Sequence, residues 1–576
     1  MISFSKFQSE KLRIKEKKVG KKIKSKQPKI DGTKNSKRNL YLLNFFIRVL
    51  YIFAFNNNIF YNKKYKRFFY FNKGYKMTNT LTFSAFGKND IRGIYGEDIT
   101  EELFYYTGKG FVKYVQEKTG LAPHDIWLTI SKDARLHSES LAKTLAKGIV
   151  HMGANVINLD IVPTPLGYYS EFATFPETIC ENIKISGSLI VTASHNPSKY
   201  NGLKMTLNKA SLGEQDIKEV KEHTKRQMSN DITAVKHGEL RLYNMIPQYT
   251  ESLAAKFAGV GNGIKVVVDS ANGTAGVVAP KLYKDLGCEV IELYSEPDGN
   301  FPNHHPNPSD LSTLEDIKKK VIETNADLGI AFDGDSDRLG VIDSEGNPLT
   351  GDKLLYLYAQ DLIKNLVMRG EKPVIVSEVK CSQVLFDEIN KQGGTAIMAK
   401  TGHGYIKAKM KEKNAILAGE MSGHMFFKDR YYGFDDAVYA GCRIIEIVAK
   451  NKVNNKEFKL SDLLEPFNKV CTLDEVRHKC KNEYKKDVLS LIAKKIDEDN
   501  SIFGTNINDI VTLDGMRIIF PDGFALIRQS NTEPVFTLRF EAKTKKQATH
   551  YKNTLVSLLD ECINEIANSE EKWKQH

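Results

Sequence analysis

The sequence predicts an α/β protein of several domains, closed by a C-terminal α+β section, and three observations carry that prediction. Its 576 residues exceed what one hydrophobic core supports, which points to about three or four domains. From Met77 onward, short β-branched runs alternate with longer amphipathic stretches, the pattern of β-α-β units with mixed or parallel sheets. Beyond about residue 465 the alternation gives way to strands in succession and a long final helix.

In chain order, DIWLTIS, SLAKTLAKGIVHMGA and NVINLDIV read as strand, helix and strand. GIKVVVDSANGTAG followed by APKLYKDLGCEVIELY repeats the unit, and KPVIVSE, CSQVLFDEINKQGG and TAIMAK repeat it again. The three units are alike in pattern. In the last section DGMRIIF, GFALIRQS and VFTLRFEA are the strands and KKQATHYKNTLVSLLDECINEI is the helix. Polar stretches near 240–245, 346–352 and 452–462 mark boundaries. The expected sections are 77–242, 243–347, 348–460 and 461–576, preceded by an extension over 1–76.

The formal charge of +12 suggests an anionic partner until its location is considered. Residues 1–76 hold 21 Lys+Arg against 3 Asp+Glu, leaving 62 basic and 68 acidic residues after them. The basic character belongs to the extension, so no specific nucleic-acid partner is expected of the folded body. Within the extension the apolar run Leu40–Phe55 is broken by Asn44 and Arg48, short of the roughly 20 apolar residues a spanning helix needs. It also lacks the plan of a signal peptide. The expectation is a basic low-complexity segment, disordered or upstream of a true start at Met77, with no stable membrane insertion. Seven widely spaced cysteines without a CxxC pair indicate neither a disulfide framework nor a zinc site, which suits a reducing cytoplasm.

Four segments carry chemistry. VTASHNPSKYNGLK sets Ser194 beside His195, but a hydrolase reading needs an orienting third group and an oxyanion hole from elsewhere. DGDSDR follows an apolar run and places Asp333, Asp335 and Asp337 at alternate positions, where three carboxylates can converge on a hard cation such as Mg²⁺. An EF-hand is disfavoured, because its sixth position would be Arg338 rather than Gly and its twelfth Ser344 rather than Glu. A serine close to such a metal suggests a phosphorylated serine, since phosphoryl transfer needs charge neutralisation and in-line positioning. Arg528, Ser530, Asn531 and Thr532 of RQSNTEP can cradle a second phosphate without metal. Between them, Glu420 and Ser422 of GEMSGH can bond the vicinal hydroxyls of a sugar, with the cations Lys380 and Lys400 and with His403 upstream.

These segments, in this order, resemble the α-D-phosphohexomutase family from about Phe86 to the C-terminus. The subgroup that acts on mannose and glucose phosphates is the most similar, because GEMSGH is followed by Phe426-Phe427-Lys428 and Gly433-Phe434-Asp435-Asp436. The resemblance implies four domains around a central cleft, three related α/β domains with mixed sheets and a C-terminal α+β domain. It implies that Ser194 carries the phosphoryl group and completes a Mg²⁺ shell with Asp333, Asp335 and Asp337. His195, Lys204, Arg92 and Arg338 would assist transfer; Lys380, His403, Glu420 and Ser422 would contact the sugar; Arg528, Ser530, Asn531 and Thr532 would hold its other phosphate. The implied reaction interconverts hexose 1-phosphate and hexose 6-phosphate through a hexose 1,6-bisphosphate, which also serves as activator, in a cytoplasmic monomer or dimer. A phosphoglucosamine mutase is the alternative, because Ala193 is shared with those enzymes; they usually carry Gln at the position of Met421 and Gly at that of Asn531. A noncatalytic sugar-phosphate or nucleic-acid binding protein has only the basic extension in its favour.

Overall fold

A computed structural model describes residues 82–179, 183–530 and 533–574. The expected extension 1–76 and the expected phosphate ligands Asn531 and Thr532 lie outside the described residues. Four sheets form the described chain. In the first, Trp127–Lys132, Asn155–Ile161 and Gly187–Val191 run parallel, and Tyr200–Leu207 pairs antiparallel with Gly187–Val191. In the second, Lys265–Asp269, Glu289–Leu293 and Leu328–Phe332 run parallel, with Leu339–Asp343 antiparallel to the last. In the third the parallel strands are Val374–Glu378, Thr395–Ala399 and Leu417–Gly419, with Met425–Phe427 antiparallel.

The three sheets share one spatial order: antiparallel strand, last parallel strand, first, second. Their middle strands are buried on both faces, as Val- and Ile-rich parallel strands covered by helices must be. In each, the loop joining the last parallel strand to its antiparallel partner leaves the same edge of the fold. Those three loops are residues 192–199, 333–338 and 420–424, and they carry Ser194, the aspartates and the Glu420/Ser422 pair.

The fourth section is an antiparallel sheet, Met516–Phe520, Gly523–Gln529 and Val535–Ala542 at its centre, packed under helices Lys485–Glu498 and Lys545–Lys574. Its core, including Val488, Ile518, Phe536, Leu538 and Leu555, is separate from the core that runs continuously through the first three sections. A small apolar patch of Val379, Phe524 and Leu526 joins it to the third section. The buried Arg517 adds polar clamps there, donating to the carbonyls of Val379 and, at 2.8 Å, of Cys381. The expected boundary at 460 falls at the start of the helical segment Leu460–Lys469. Leu460, Leu464 and Phe467 of the helical segment Leu460–Lys469 face the core of the third section, with Phe467 edge-on to Tyr356 at 5.3 Å. The charged residues of that segment mask an apolar stripe of period three to four.

Strand Tyr200–Leu207, which delivers Lys204, is buttressed by a buried carboxyl. Glu171 accepts a bond from the Thr206 hydroxyl and one from the Lys209 N–H at 2.6 Å, and burial pushes its pKa up to about 7 from the ordinary 4.5. A carboxyl raised on folding adds stability that is complete below about pH 4.5 and is lost as the pH rises through about 7. Glu171→Gln removes that loss: at about pH 8 the variant is expected to melt above the wild type, with the gap closing near pH 5 in a thermal-melt series.

Candidate active site

Ser194 sits where the buried strand Gly187–Val191 turns back, with φ of 52°, a left-handed conformation uncommon for a residue with a side chain. Its N–H donates to Thr192 Oγ1 at 2.8 Å, and its hydroxyl donates to Asp333 Oδ2 at 2.7 Å and lies 3.2 Å from His195 Nδ1. The acidic loop wraps on itself, with Asp333 Oδ1 accepting from the N–H groups of Asp337 and Arg338 at 3.1 and 3.2 Å. All three carboxylates are buried, and one oxygen of each lies within 4.8 Å of the others.

Close approach ties the two loops together. A Cβ on Gly334 would lie 2.7 Å from the Ser194 carbonyl oxygen, inside any real contact, so this position tolerates only glycine at the present spacing. Gly334→Ala is expected to push the loops apart, costing about 1–3 kcal/mol of stability and about 10- to 100-fold in turnover, read by denaturant unfolding and steady-state kinetics.

Lys204 does not reach the serine. Its Nζ donates to Asp335 Oδ2 at 2.8 Å and to Asp337 Oδ2, and although burial would lower its pKa, the two carboxylates raise it well above the ordinary lysine value. Asp335 Oδ2 also accepts from Thr164 and Thr192 at 2.7 and 3.1 Å, while Oδ1 is buried without a hydrogen-bond partner. Burial, together with the charges of Asp335 and Asp337, pushes Asp333 well above the carboxylate range. An orphaned buried oxygen and an over-rich set of carboxylates fit a hard divalent cation, which would satisfy the one and neutralise the other. Arg92, on strand Ile91–Ile94 beside Tyr200–Leu207, donates to Asn196 Oδ1 at 2.9 Å and pairs with Asp90 at 2.6 Å.

The third loop joins through His424. Its Nε2 lies 3.2 Å from Asp337 Oδ1, and its Nδ1 lies 3.0 Å from both Glu420 Oε2 and Ser422 Oγ. Burial would lower its pKa, but Asp337 and Glu420 outweigh that and push it up to about 9, so the ring is an imidazolium donating to both. Asp337, His424 and Asp435 lie close enough to hold a metal. His424 already pairs there with Asp337 and Glu420.

Glu420 Oε1 accepts the N–H of Gly402 at 2.7 Å, one residue before His403, which opens helix His403–Lys413. The adjacent Thr401 N–H donates to Asp514 Oδ2 at 3.0 Å, and the same oxygen accepts from Arg528 Nε at 3.1 Å. A continuous line of contacts therefore runs from Ser194 through the acidic loop, His424 and Glu420 to Arg528 in the fourth section. Lys380 reaches the sugar loop through Glu378, 3.8 Å away, whose other oxygen accepts the Met421 N–H at 2.7 Å. Ser530 Oγ accepts the Glu533 N–H at 3.2 Å, and Lys485 Nζ donates to the carbonyls of Ser530 and Glu533 at 2.9 and 2.6 Å.

Sequence reasoning missed His424, Thr164, Asp435, Lys485 and Asp514 as members. His424 stood inside a quoted motif, and its signal was its place four residues after Glu420. Thr164 and Asp514 act across domains and leave no local pattern, Asp435 stood inside a quoted motif, and Lys485 braces its own section from 45 residues away. His304 pairs with the buried Asp269 at 3.0 Å, away from the contact line just described.

A buried serine hydroxyl held on one carboxylate of a triad able to hold a metal, at the meeting of three like α/β sheets, is the arrangement of an enzyme of phosphoryl transfer. The four domains of the phosphoglucomutase/phosphomannomutase family match in order: α/β/α domain I over 84–231, domain II over 247–346, domain III over 350–470 and the C-terminal domain over 475–558. A phosphomannomutase/phosphoglucomutase of Pseudomonas syringae pv. tomato is 37% identical over 80% of this chain and 92% of its own. A phosphoglucomutase of Neisseria gonorrhoeae is 34% identical over 84% of this chain and 98% of its own. The crystal structure of a family protein from Burkholderia thailandensis superposes with a TM-score of 0.74 at 34% identity, covering 84% and 98% of the two chains. The chain belongs to the phosphoglucomutase/phosphomannomutase family.

Proposed function

We propose that this protein is a phosphohexomutase, an isomerase that interconverts the 1- and 6-phosphates of mannose and glucose through phosphorylated Ser194 and a hexose 1,6-bisphosphate. The observation that carries this reading is the 2.7 Å bond from the Ser194 hydroxyl to Asp333. It places the Ser194 hydroxyl oxygen on the edge of the carboxylate triad. Phosphorylated Ser194 gives its phosphoryl group to a free hydroxyl of the bound monophosphate: the serine P–O bond breaks, a sugar P–O bond forms, the hydroxyl proton leaves to a base, and Ser194 Oγ takes up a proton to regain its hydroxyl. His195 suits the role of acceptor, because burial and then the charges of Arg338 and Arg92 hold its pKa well below the ordinary value and keep the imidazole neutral. After the bisphosphate turns end for end, the second phosphate returns to Ser194.

Asp333, Asp335 and Asp337, with the phosphate on Ser194, would hold Mg²⁺, which when bound supplies Lewis-acid charge to the phosphoryl group. Glu420, Ser422, His403 and Lys380 would orient the sugar, and Arg528 and Ser530, with Asn531 and Thr532, would hold the phosphate that is not reacting. Arg528 is kept in place by Asp514 without substrate, which preorganises the fork for an anion. Met421 and Asn531 favour mannose and glucose over glucosamine.

We place the enzyme in the cytoplasm as a monomer or dimer. Among the described residues, the cysteines are unpaired and no helix is long and apolar enough to cross a membrane. Assay of the three hexose 1-phosphates with Mg²⁺ tests the reading: mannose and glucose 1-phosphates are expected to turn over about tenfold or more faster than glucosamine 1-phosphate. The opposite order would assign a phosphoglucosamine mutase.

A further inference from the structure

The phosphoserine loop is held by a group outside every motif quoted above. Strand Trp127–Lys132 runs directly into Asp133-Ala134-Arg135, and the Arg135 side chain is fully buried. Its guanidinium uses all five N–H donors. Nε donates to Asp133 Oδ2 at 3.0 Å; Nη1 donates to the carbonyls of Pro197 and Tyr200 at 2.7 and 3.1 Å; Nη2 donates to the carbonyls of Ser194 and Asn196 at 2.8 and 2.6 Å. Asp133 is fixed in turn by the Ser138 hydroxyl at 2.5 Å and the Arg135 N–H at 3.1 Å, and its Oδ2 accepts the Ala193 N–H at 3.4 Å.

Four carbonyls of one turn, spanning Ser194 to Tyr200, thus converge on a single planar cation. The Ser194 carbonyl is trapped between that cation and Gly334 of the acidic loop, where a Cβ would sit 2.7 Å away. A serine with φ of 52° needs such over-determination, because its own preference is for the other side of φ/ψ space. No hydrogen bond of Arg135 goes to the acidic, sugar or phosphate loops.

We propose that Arg135 is the positioning residue of the phosphoryl carrier: it sets the backbone of residues 194–200 so that Ser194 Oγ points at the carboxylate triad, and it has no part in holding the sugar. This rests on the phosphoserine reading above. Lysine cannot replace it, because one ammonium offers three donors from a single point where five are needed from a fork.

The test uses the full chain with Arg135→Ala and Arg135→Lys, and glucose 1,6-bisphosphate as phosphoryl donor. Transfer forms the bond from Ser194 Oγ to phosphorus, breaks the donor's P–O bond and releases a hexose monophosphate, so intact mass follows it directly. Both variants are expected to lose about 100-fold in the rate of Ser194 phosphorylation and in kcat, with KM for the hexose phosphate changed less than about threefold. Added guanidinium is expected to restore rate to the alanine variant and not to the lysine variant, whose side chain fills the space. If the wild type takes up no phosphoryl group, the phosphoserine reading falls and this inference with it. If the wild type is phosphorylated, three outcomes overturn the inference alone: full-rate phosphorylation in either variant, an unrescued loss in which KM rises as kcat falls, or collapse of the fold in both.

Discussion

Ser194→Ala is expected to abolish mutase turnover, by about 10⁴-fold or more, while leaving the fold in place. The magnitude follows from its proposed role, in which every phosphoryl group enters and leaves through this one oxygen; no other described hydroxyl bonds the Asp333 carboxylate. Thr164 and Thr192 both donate to Asp335 and are buried against it, which spends their hydroxyls on structure. The cost to stability is small, because the hydroxyl takes one bond to a carboxylate that keeps two backbone donors, about 1–2 kcal/mol at most. A normal rate in a folded Ser194→Ala variant would end the phosphoserine mechanism; circular dichroism and steady-state kinetics together decide it.

The second large effect is expected at Asp335. Asp335→Asn takes away a charge paired with buried Lys204 at 2.8 Å and replaces one of the three carboxylates of the triad by an amide. Leaving a buried lysine half-paired costs about 3 kcal/mol, and a metal site that loses one of three anionic ligands binds its cation more weakly. We expect turnover to fall about 10²- to 10³-fold, with the Mg²⁺ needed for half-maximal rate raised about tenfold or more. A Mg²⁺ titration of activity, run beside a chelated wild-type control, checks both. An unchanged Mg²⁺ requirement would move the cation away from the triad.

Much of the site was legible in the sequence because its chemistry is local. Three aspartates at alternate positions, or a Glu and a Ser two apart after an apolar run, declare themselves within a single loop. The alternation of strand and helix likewise announced three like domains, and the common sheet order bears out the fold class. What stayed hidden acts across distance in the chain. Arg135 lies 59 residues from the carbonyl of Ser194 that it binds, and Asp514 reaches Thr401 across 113. His424 looked like punctuation in GEMSGH, because its partner Asp337 is 87 residues away. Lys204 was implied to assist transfer, and its two buried partners, Asp335 and Asp337, lie 131 and 133 residues away in the chain. The boundary at 460 was drawn on charge, while three apolar side chains on one face decided where the segment packs.

In the proposed mechanism one phosphate is met by a carboxylate triad that would hold Mg²⁺, and the other by an arginine. The first must exchange a phosphoryl group and sits in the shared core of three domains. The second only holds, and it belongs to a section with its own core and a small apolar seam. A section joined in this way is suited to loosen while the bisphosphate turns.

Everything in the proposed mechanism turns on Ser194 as the carrier of the phosphoryl group. Intact-mass measurement of the protein before and after incubation with glucose 1,6-bisphosphate, followed by fragmentation of the peptide spanning Val191 to Lys204, tests it directly. The expected result is a gain of one phosphoryl group per chain, located on Ser194 and discharged by hexose monophosphate. A protein that stays unmodified while turning substrate over, or that carries the group on another residue, would contradict it.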